Sequence, residues 1–174
     1  SSDSLYTNNR FEMVDNESSD QYAIRIEGDT TGTDVTDSLF TDIESTDGIG
    51  GDNVNGVVVG DPNGTTISGN VFSRVDTAVN AGDKRREAGT LVVENNEVSN
   101  ITQFGAVALV NDDAGLNAQI NNNTIESSSI GVGVFGGDSG ATFDIQDNDF
   151  QNFDDDEVFV DDTVGVLTLS DVLN

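Results

Sequence analysis

The sequence predicts an all-β chain wound as a right-handed parallel β-helix of about six coils. Three observations predict it. Apolar residues recur with a period of about 27 residues. A pair drawn from Asn, Asp and Gly sits at a fixed place between two of them in five of the first six periods. No segment shows helical periodicity, and the two-residue hairpin turns of a stacked sandwich are missing.

The apolar anchors are Tyr6, Val35, Ile67, Val93, Ile120, Ile145 and Leu169, spaced by 29, 32, 26, 27, 25 and 24 residues. Five residues after the first six stand Phe11, Phe40, Phe72, Val98, Ile125 and Phe150, all apolar. Two residues after all seven stand Asn8, Asp37, Gly69, Asn95, Asn122, Asp147 and Asp171. Three residues after the first six stand Asn9, Ser38, Asn70, Asn96, Asn123 and Asn148. The unit is apolar-x-[Asn/Asp/Gly]-Asn-x-apolar.

This unit reads as strand, sharp corner, strand. Asn, Asp and Gly tolerate the left-handed backbone conformation, so one such residue bends the chain while both flanking apolar side chains still point inward. A second short strand follows in each unit: 23–26, 57–59, 78–81, 105–110, 132–135 and 158–160. Turns rich in Asp and Gly then lead to the next unit, as in Asp61-Pro-Asn-Gly64 and Asp112-Asp-Ala-Gly115. A unit of several short strands cannot bury its own apolar face and must stack on its neighbours. Left-handed β-helices step in hexapeptides, so the right-handed form is expected. Six coils at about 4.8 Å give a rod roughly 29 Å long. Tyr6, Phe11, Val35, Phe40, Ile67, Phe72, Val93, Val98, Ile120, Ile125, Ile145 and Phe150 are expected inside. The whole chain, 1–174, reads as one β-helix domain, either alone or as a segment of a larger protein or assembly.

Four segments carry a resemblance: Ile67-Ser-Gly-Asn-Val-Phe72, Val93-Glu-Asn-Asn-Glu-Val98, Ile120-Asn-Asn-Asn-Thr-Ile125 and Ile145-Gln-Asp-Asn-Asp-Phe150. They are similar to the corners of the right-handed parallel β-helix superfamily with pectate-lyase-like folds. Tyr6–Phe11 and Val35–Phe40 extend the likeness to nearly the whole chain. The resemblance implies an internal ladder of Asn70, Asn96, Asn123 and Asn148, interrupted by Ser38 before Asn9. It implies no particular reaction, because this fold hosts lyases, hydrolases, adhesins, viral spikes and inert scaffolds.

Charge narrows the setting. The chain has 33 Asp and Glu against 6 Lys and Arg, a formal net charge of −27. A chain this acidic lacks the basic footprint of a nucleic-acid binder. It has no Cys and no His, which removes disulfides, thiolate chemistry and imidazole as base or ligand. Its longest apolar run, Ala106–Val110, is far short of a membrane span. Such a chain repels itself at low ionic strength, whereas at molar salt the Debye length falls to about 3 Å. The composition resembles proteins of extreme halophiles, especially halophilic archaea, or their viruses.

Candidate sites are few. Pectate-lyase-type catalysis, by resemblance, needs a Ca²⁺ cluster and an arginine base. Of the arginines, Arg25 and Arg74 lie near strands, and no acidic cluster shares their face. The His and Arg-x-Lys of polygalacturonase-like hydrolases are missing. Paired carboxylates such as Asp112/Asp113 and Asp161/Asp162 are expected in a chain so acidic. The acids Asp112, Asp113, Asp138, Asp161 and Asp162 fall on equivalent turns, where carboxylates about 5 Å apart would bracket a calcium ion; no other cofactor is called for. Gly48–Asp52 faintly resembles a calcium-binding nonapeptide, and 154–157 reads as a solvated turn. The loop 81–89 gathers Lys84, Arg85 and Arg86, a candidate contact for an acidic sugar or an acidic neighbouring chain. Glycosylation sequons occur at Asn16, Asn63, Asn100 and Asn122, a number that composition alone accounts for.

The expected role is a non-catalytic structural or binding module of an extracellular surface protein, filament or virus spike in high salt. The alternative is a polysaccharide-active enzyme, lyase or glycoside hydrolase, or its inactive remnant. Neither end carries an amphipathic cap, so at least one end coil is expected to be covered by another protein chain or further polypeptide.

Overall fold

In a computed structural model of the chain, the described residues are 4–12, 21–27, 31–43, 54–60, 62–81, 89–101, 105–110, 115–135, 141–153, 156–161 and 166–169, the last four as backbone. Every regular element among them is a strand. The first coil contains β1 (Ser4–Thr7), β2 (Arg10–Glu12) and β3 (Gln21–Ile26). The second contains β4 (Thr33–Thr36), β5 (Leu39–Ile43) and β6 (Val54–Val59). The third contains β7 (Asn63–Ser68), β8 (Val71–Val75) and β9 (Thr77–Ala81). The fourth contains β10 (Gly89–Glu94), β11 (Glu97–Ile101) and β12 (Val107–Val110). The fifth contains β13 (Leu116–Asn121), β14 (Thr124–Ser128) and β15 (Ile130–Phe135). The sixth contains β16 (Thr142–Gln146), β17 (Asp149–Gln151) and β18 (Asp156–Val160), and β19 (Val166–Leu169) follows.

These strands form three parallel sheets of seven, six and six strands, each made of every third strand. The fold is therefore a parallel β-solenoid. The expected six coils resolve into four enclosed on both sides, starting at β4, β7, β10 and β13, between two outer coils with one flank less covered. Register follows the sequence repeat: Val35 pairs with Ile67, Ile67 with Val93, Val93 with Ile120 and Ile120 with Ile145. In the second sheet Phe11, Phe40, Phe72, Val98, Ile125 and Phe150 form one row.

The two rows fill the interior. Val35, Phe40, Ile67, Phe72, Ile120 and Ile125 are fully buried, and Val93, Val98 and Ile145 nearly so. Phe40 stacks on Phe11 at 4.8 Å between centroids and on Phe72 at 4.5 Å, with interplanar angles of 14° and 12°. Stacking identical rings in register extends one packing solution along the rod. Tyr6 departs from expectation: it is 41% exposed. Its strand β1 pairs with β4 alone, so one flank of the ring has no described neighbour. Phe11 and Phe150, on the outer coils, are half-buried for the same reason.

The third sheet makes room for the phenylalanine row with small residues. The register places Gly56, Ala78, Ala106 and Gly131 in one line. A Cβ on Gly56 would lie 2.9 Å from the Phe72 ring and 2.8 Å from the Ala78 carbonyl oxygen. One on Gly131 would lie 2.7 Å from the Phe150 ring. Glycine stands where the next coil supplies a phenyl ring, and alanine where it supplies Val98 or Ile125. The summed volume per layer is thereby kept nearly constant, as a close-packed core requires.

Candidate functional site: the asparagine ladder and the surface it carries

The corner residues take the backbone conformation their types allow. Asn8, Asp37, Asn95, Asn122 and Asp147 have φ between 49° and 56°, and Gly69 has φ 66°. Each turns the chain so that the next residue points inward. After Gly69, Asn95, Asn122 and Asp147 that residue is the ladder asparagine, Asn70, Asn96, Asn123 and Asn148. The Oδ1 of Asn123 accepts from the Asn96 backbone N–H at 3.0 Å and from its Nδ2 at 2.9 Å. Asn96 Oδ1 accepts the same pair from Asn70, and Asn148 Oδ1 the same pair from Asn123. Each Nδ2 also donates to a carbonyl of the preceding coil: Asn70 to Val35, Asn96 to Ile67, Asn123 to Val93 and Asn148 to Ile120, at 2.7–3.0 Å. A buried amide requires these partners, since an unpaired one would cost about 1–3 kcal/mol.

Ser38 interrupts the side-chain ladder but keeps its backbone half. Its hydroxyl oxygen accepts the Asn9 N–H at 3.1 Å and donates to the Thr36 carbonyl, while its own N–H donates to Asn70 Oδ1 at 3.0 Å. Asn9 Nδ2 turns to the Thr7 carbonyl instead.

A second column of corners was not anticipated. Asp42, Arg74, Asn100 and Asn152 have φ of 54–57°, each five residues after a first corner. Asx at that offset, present in three of the four, was the available signal. Arg74 breaks it: an arginine in this region carries backbone strain of roughly 1 kcal/mol or more. Its Nε donates to Asp42 Oδ1 at 2.5 Å, from the equivalent corner one coil earlier. The Arg74 guanidinium, with help from the Thr41 hydroxyl, holds the Asp42 carboxyl below its usual pKa.

The other described arginines are similarly engaged. Arg10 donates to Glu12 Oε2 at 2.9 Å. Arg25 pairs with Glu27 and lies 5.0 Å from the Tyr22 ring centroid; the Glu27 bond and then Tyr22 raise its already high pKa. Arg25 and Arg74, the two candidates for a base, thus stand on different sheets with different carboxylate partners.

Of the residues expected to matter, Asp112, Asp113, Asp138, Asp162, Lys84, Arg85 and Arg86 lie outside the described residues, as do Gly48–Asp52 and Asp171. Asp161 is exposed, and its N–H donates to the Val134 carbonyl at 2.9 Å. Among the described residues no three acids come close enough to hold a metal ion, and no helix is long and apolar enough to cross a membrane.

A depression lies among the described residues. It is a shallow groove of about 340 Å³ along the first corner, lined by Asn8, Asn9, Arg10, Asp37, Ser38, Leu39, Gly69 and Val71. Gly69 opens it, because a Cβ there would sit 2.8 Å from Asp37 Oδ1. Its lining combines amides, a carboxylate, a paired arginine and two aliphatic side chains, which suits weak polar contacts. No family model, curated protein or solved structure matches the chain.

Proposed function

We propose that the chain is a non-catalytic structural or binding module, a pectate-lyase-like β-helix rod working outside the cell or on a virion in concentrated salt. The observation that carries this reading is the continuous hydrogen-bonded ladder from Ser38 to Asn148, which welds successive coils into one stiff unit. The described arginines support it, Arg10, Arg25 and Arg74 each serving a nearby carboxylate. The net charge of −27 supports the saline setting, because screening removes the repulsion that would otherwise oppose the compact state. Contacts with other protein chains would use the coil ends, where Tyr6 and Leu5 are exposed, or the loop bearing Lys84, Arg85 and Arg86. Calcium at the turn acids is an accessory to this role and no part of a reaction.

The test is incubation with neutral and uronic-acid polysaccharides at molar KCl, with and without Ca²⁺, followed by assay of reducing ends and unsaturated products. The expected result is no cleavage, with the protein recovered in the surface or filament fraction of the producing cells. Release of oligosaccharides above the buffer control would overturn the reading in favour of a polysaccharide-active enzyme.

A further inference from the structure

The four sequons differ in what the fold does with them. An acceptor site needs the asparagine amide and the hydroxyl two residues later to face one enzyme together. At Asn122-Asn123-Thr124 the solenoid supplies this arrangement. Asn122 occupies the left-handed corner with φ 53° and is exposed; Thr124 opens β14 and is exposed as well. The residue between them, Asn123, is the buried ladder amide, 1% exposed and tied to both neighbouring coils. The ladder therefore pins the middle of the sequon while its two reactive ends project. Along the corner the flanking side chains are short, Asn95 on one side and Asp147 on the other, both exposed.

Asn63-Gly64-Thr65 is the opposite case. Asn63 is exposed, but Thr65 is 1% exposed and its hydroxyl oxygen is buried without a hydrogen-bond partner. Its recognition element points away from any external enzyme. For Asn100 the hydroxyl residue, and for Asn16 the whole sequon, lie outside the described residues. Asn95-Asn96-Glu97 repeats the Asn122 corner one coil earlier, with the same φ region and the same buried ladder amide, but with glutamate in place of the hydroxyl residue.

We propose that Asn122 is an N-glycosylation site presented by the folded corner, taking an oligosaccharide from a polyprenyl-phosphate-linked donor. The Asn122 Nδ2 attacks the anomeric carbon of the donor sugar. The new C–N bond replaces the C–O bond to phosphate, the polyprenyl phosphate leaves, and an amide proton passes to a base of the transferase. This rests on the extracellular reading, since such a donor meets the folded chain after export. A glycan there stands off an exposed corner and leaves the buried ladder amide untouched.

The experiment is peptide mass mapping of the protein purified from its own producing cells, alongside cell fractionation. The 116–126 peptide is expected to carry a glycan mass, and Asn122→Asp, which keeps a residue tolerant of the left-handed corner, is expected to remove it. Thr124→Ala is expected to remove it and Thr124→Ser to retain it. Glu97→Thr is expected to add a second glycan, at Asn95. Wild-type peptide of unmodified mass in protein recovered outside the cell would overturn the proposal while leaving the location intact. Equal occupancy at Asn63 would overturn selection by the folded corner. Recovery of the protein inside the cell would instead defeat the extracellular reading.

Discussion

Asn96 gives two hydrogens to one oxygen of Asn123: its backbone N–H at 3.0 Å and its Nδ2 at 2.9 Å both end on Oδ1. Truncating Asn123 therefore strands two buried donors of the fourth coil and removes the side-chain donor to the Val93 carbonyl. Asn123→Ala is expected to cost about 1–3 kcal/mol. Denaturant unfolding at molar salt measures it, and a wild-type midpoint would show that the ladder contributes nothing.

The packing row makes a second prediction. Phe40→Ala removes a ring stacked on both sides, and is expected to cost about 3–5 kcal/mol. Gly56→Ala inserts a methyl group against Phe72 and the Ala78 carbonyl, and is expected to cost about 1–3 kcal/mol. Replacement of exposed Val71 by Thr is the control and should stay close to wild type. Equal melting of all three variants would contradict the inward direction assigned to the Phe40 row.

Salt dependence follows from the net charge of −27. Lowering KCl from molar to low concentration lengthens the Debye length from about 3 Å to tens of ångströms and restores the repulsion. The melting temperature is expected to fall steeply across that series. A flat series would remove the case for a saline habitat.

The Asp42–Arg74 pair predicts a small pH effect of known sign. Arg74 lowers the folded-state pKa of Asp42, so the pair's stabilisation is present above the unfolded value, about 3.9, and fades as pH falls through the lower folded one. The difference in stability between wild type and Asp42→Asn, which tolerates the same corner, should be constant from neutral pH to about 5 and shrink below about 4. A difference that grows with acidification would contradict the pairing. Both groups are exposed, so the effect is modest.

Much of the fold was legible because the repeat reads backbone and side chain at once. Asn95 and Asn122 announce the left-handed corner, Asn96 and Asn123 the ladder, and Val98 and Ile125 the interior row; all take those places. Tyr6 was misread because periodicity identifies an inward position but carries no information on whether another coil lies beyond it. The second corner was missed at Arg74, where a long-range ion pair with Asp42 overrides local preference. The volume match between Gly56 and Phe72 could not be seen without knowing which residues meet across sheets. The site was far less legible: the turn acids recur on equivalent turns, but their chemistry depends on a convergence of side chains that spacing does not encode.

In-register stacking of the coils is the claim on which the rod, its ladder and its proposed role all depend, and the cysteine-free sequence allows a direct test. Ser99 pairs with Glu126 across neighbouring strands of the second sheet, both away from the core. Adjacent strands lie about 4.8 Å apart, within the Cα range of a disulfide, whereas two coils span about 9.6 Å. Ser99→Cys with Glu126→Cys should close a disulfide in air at molar KCl, read by mass and by a raised melting temperature; Ser99→Cys with Gln151→Cys, two coils apart, should not. Closure of the second pair and failure of the first would contradict the stacking.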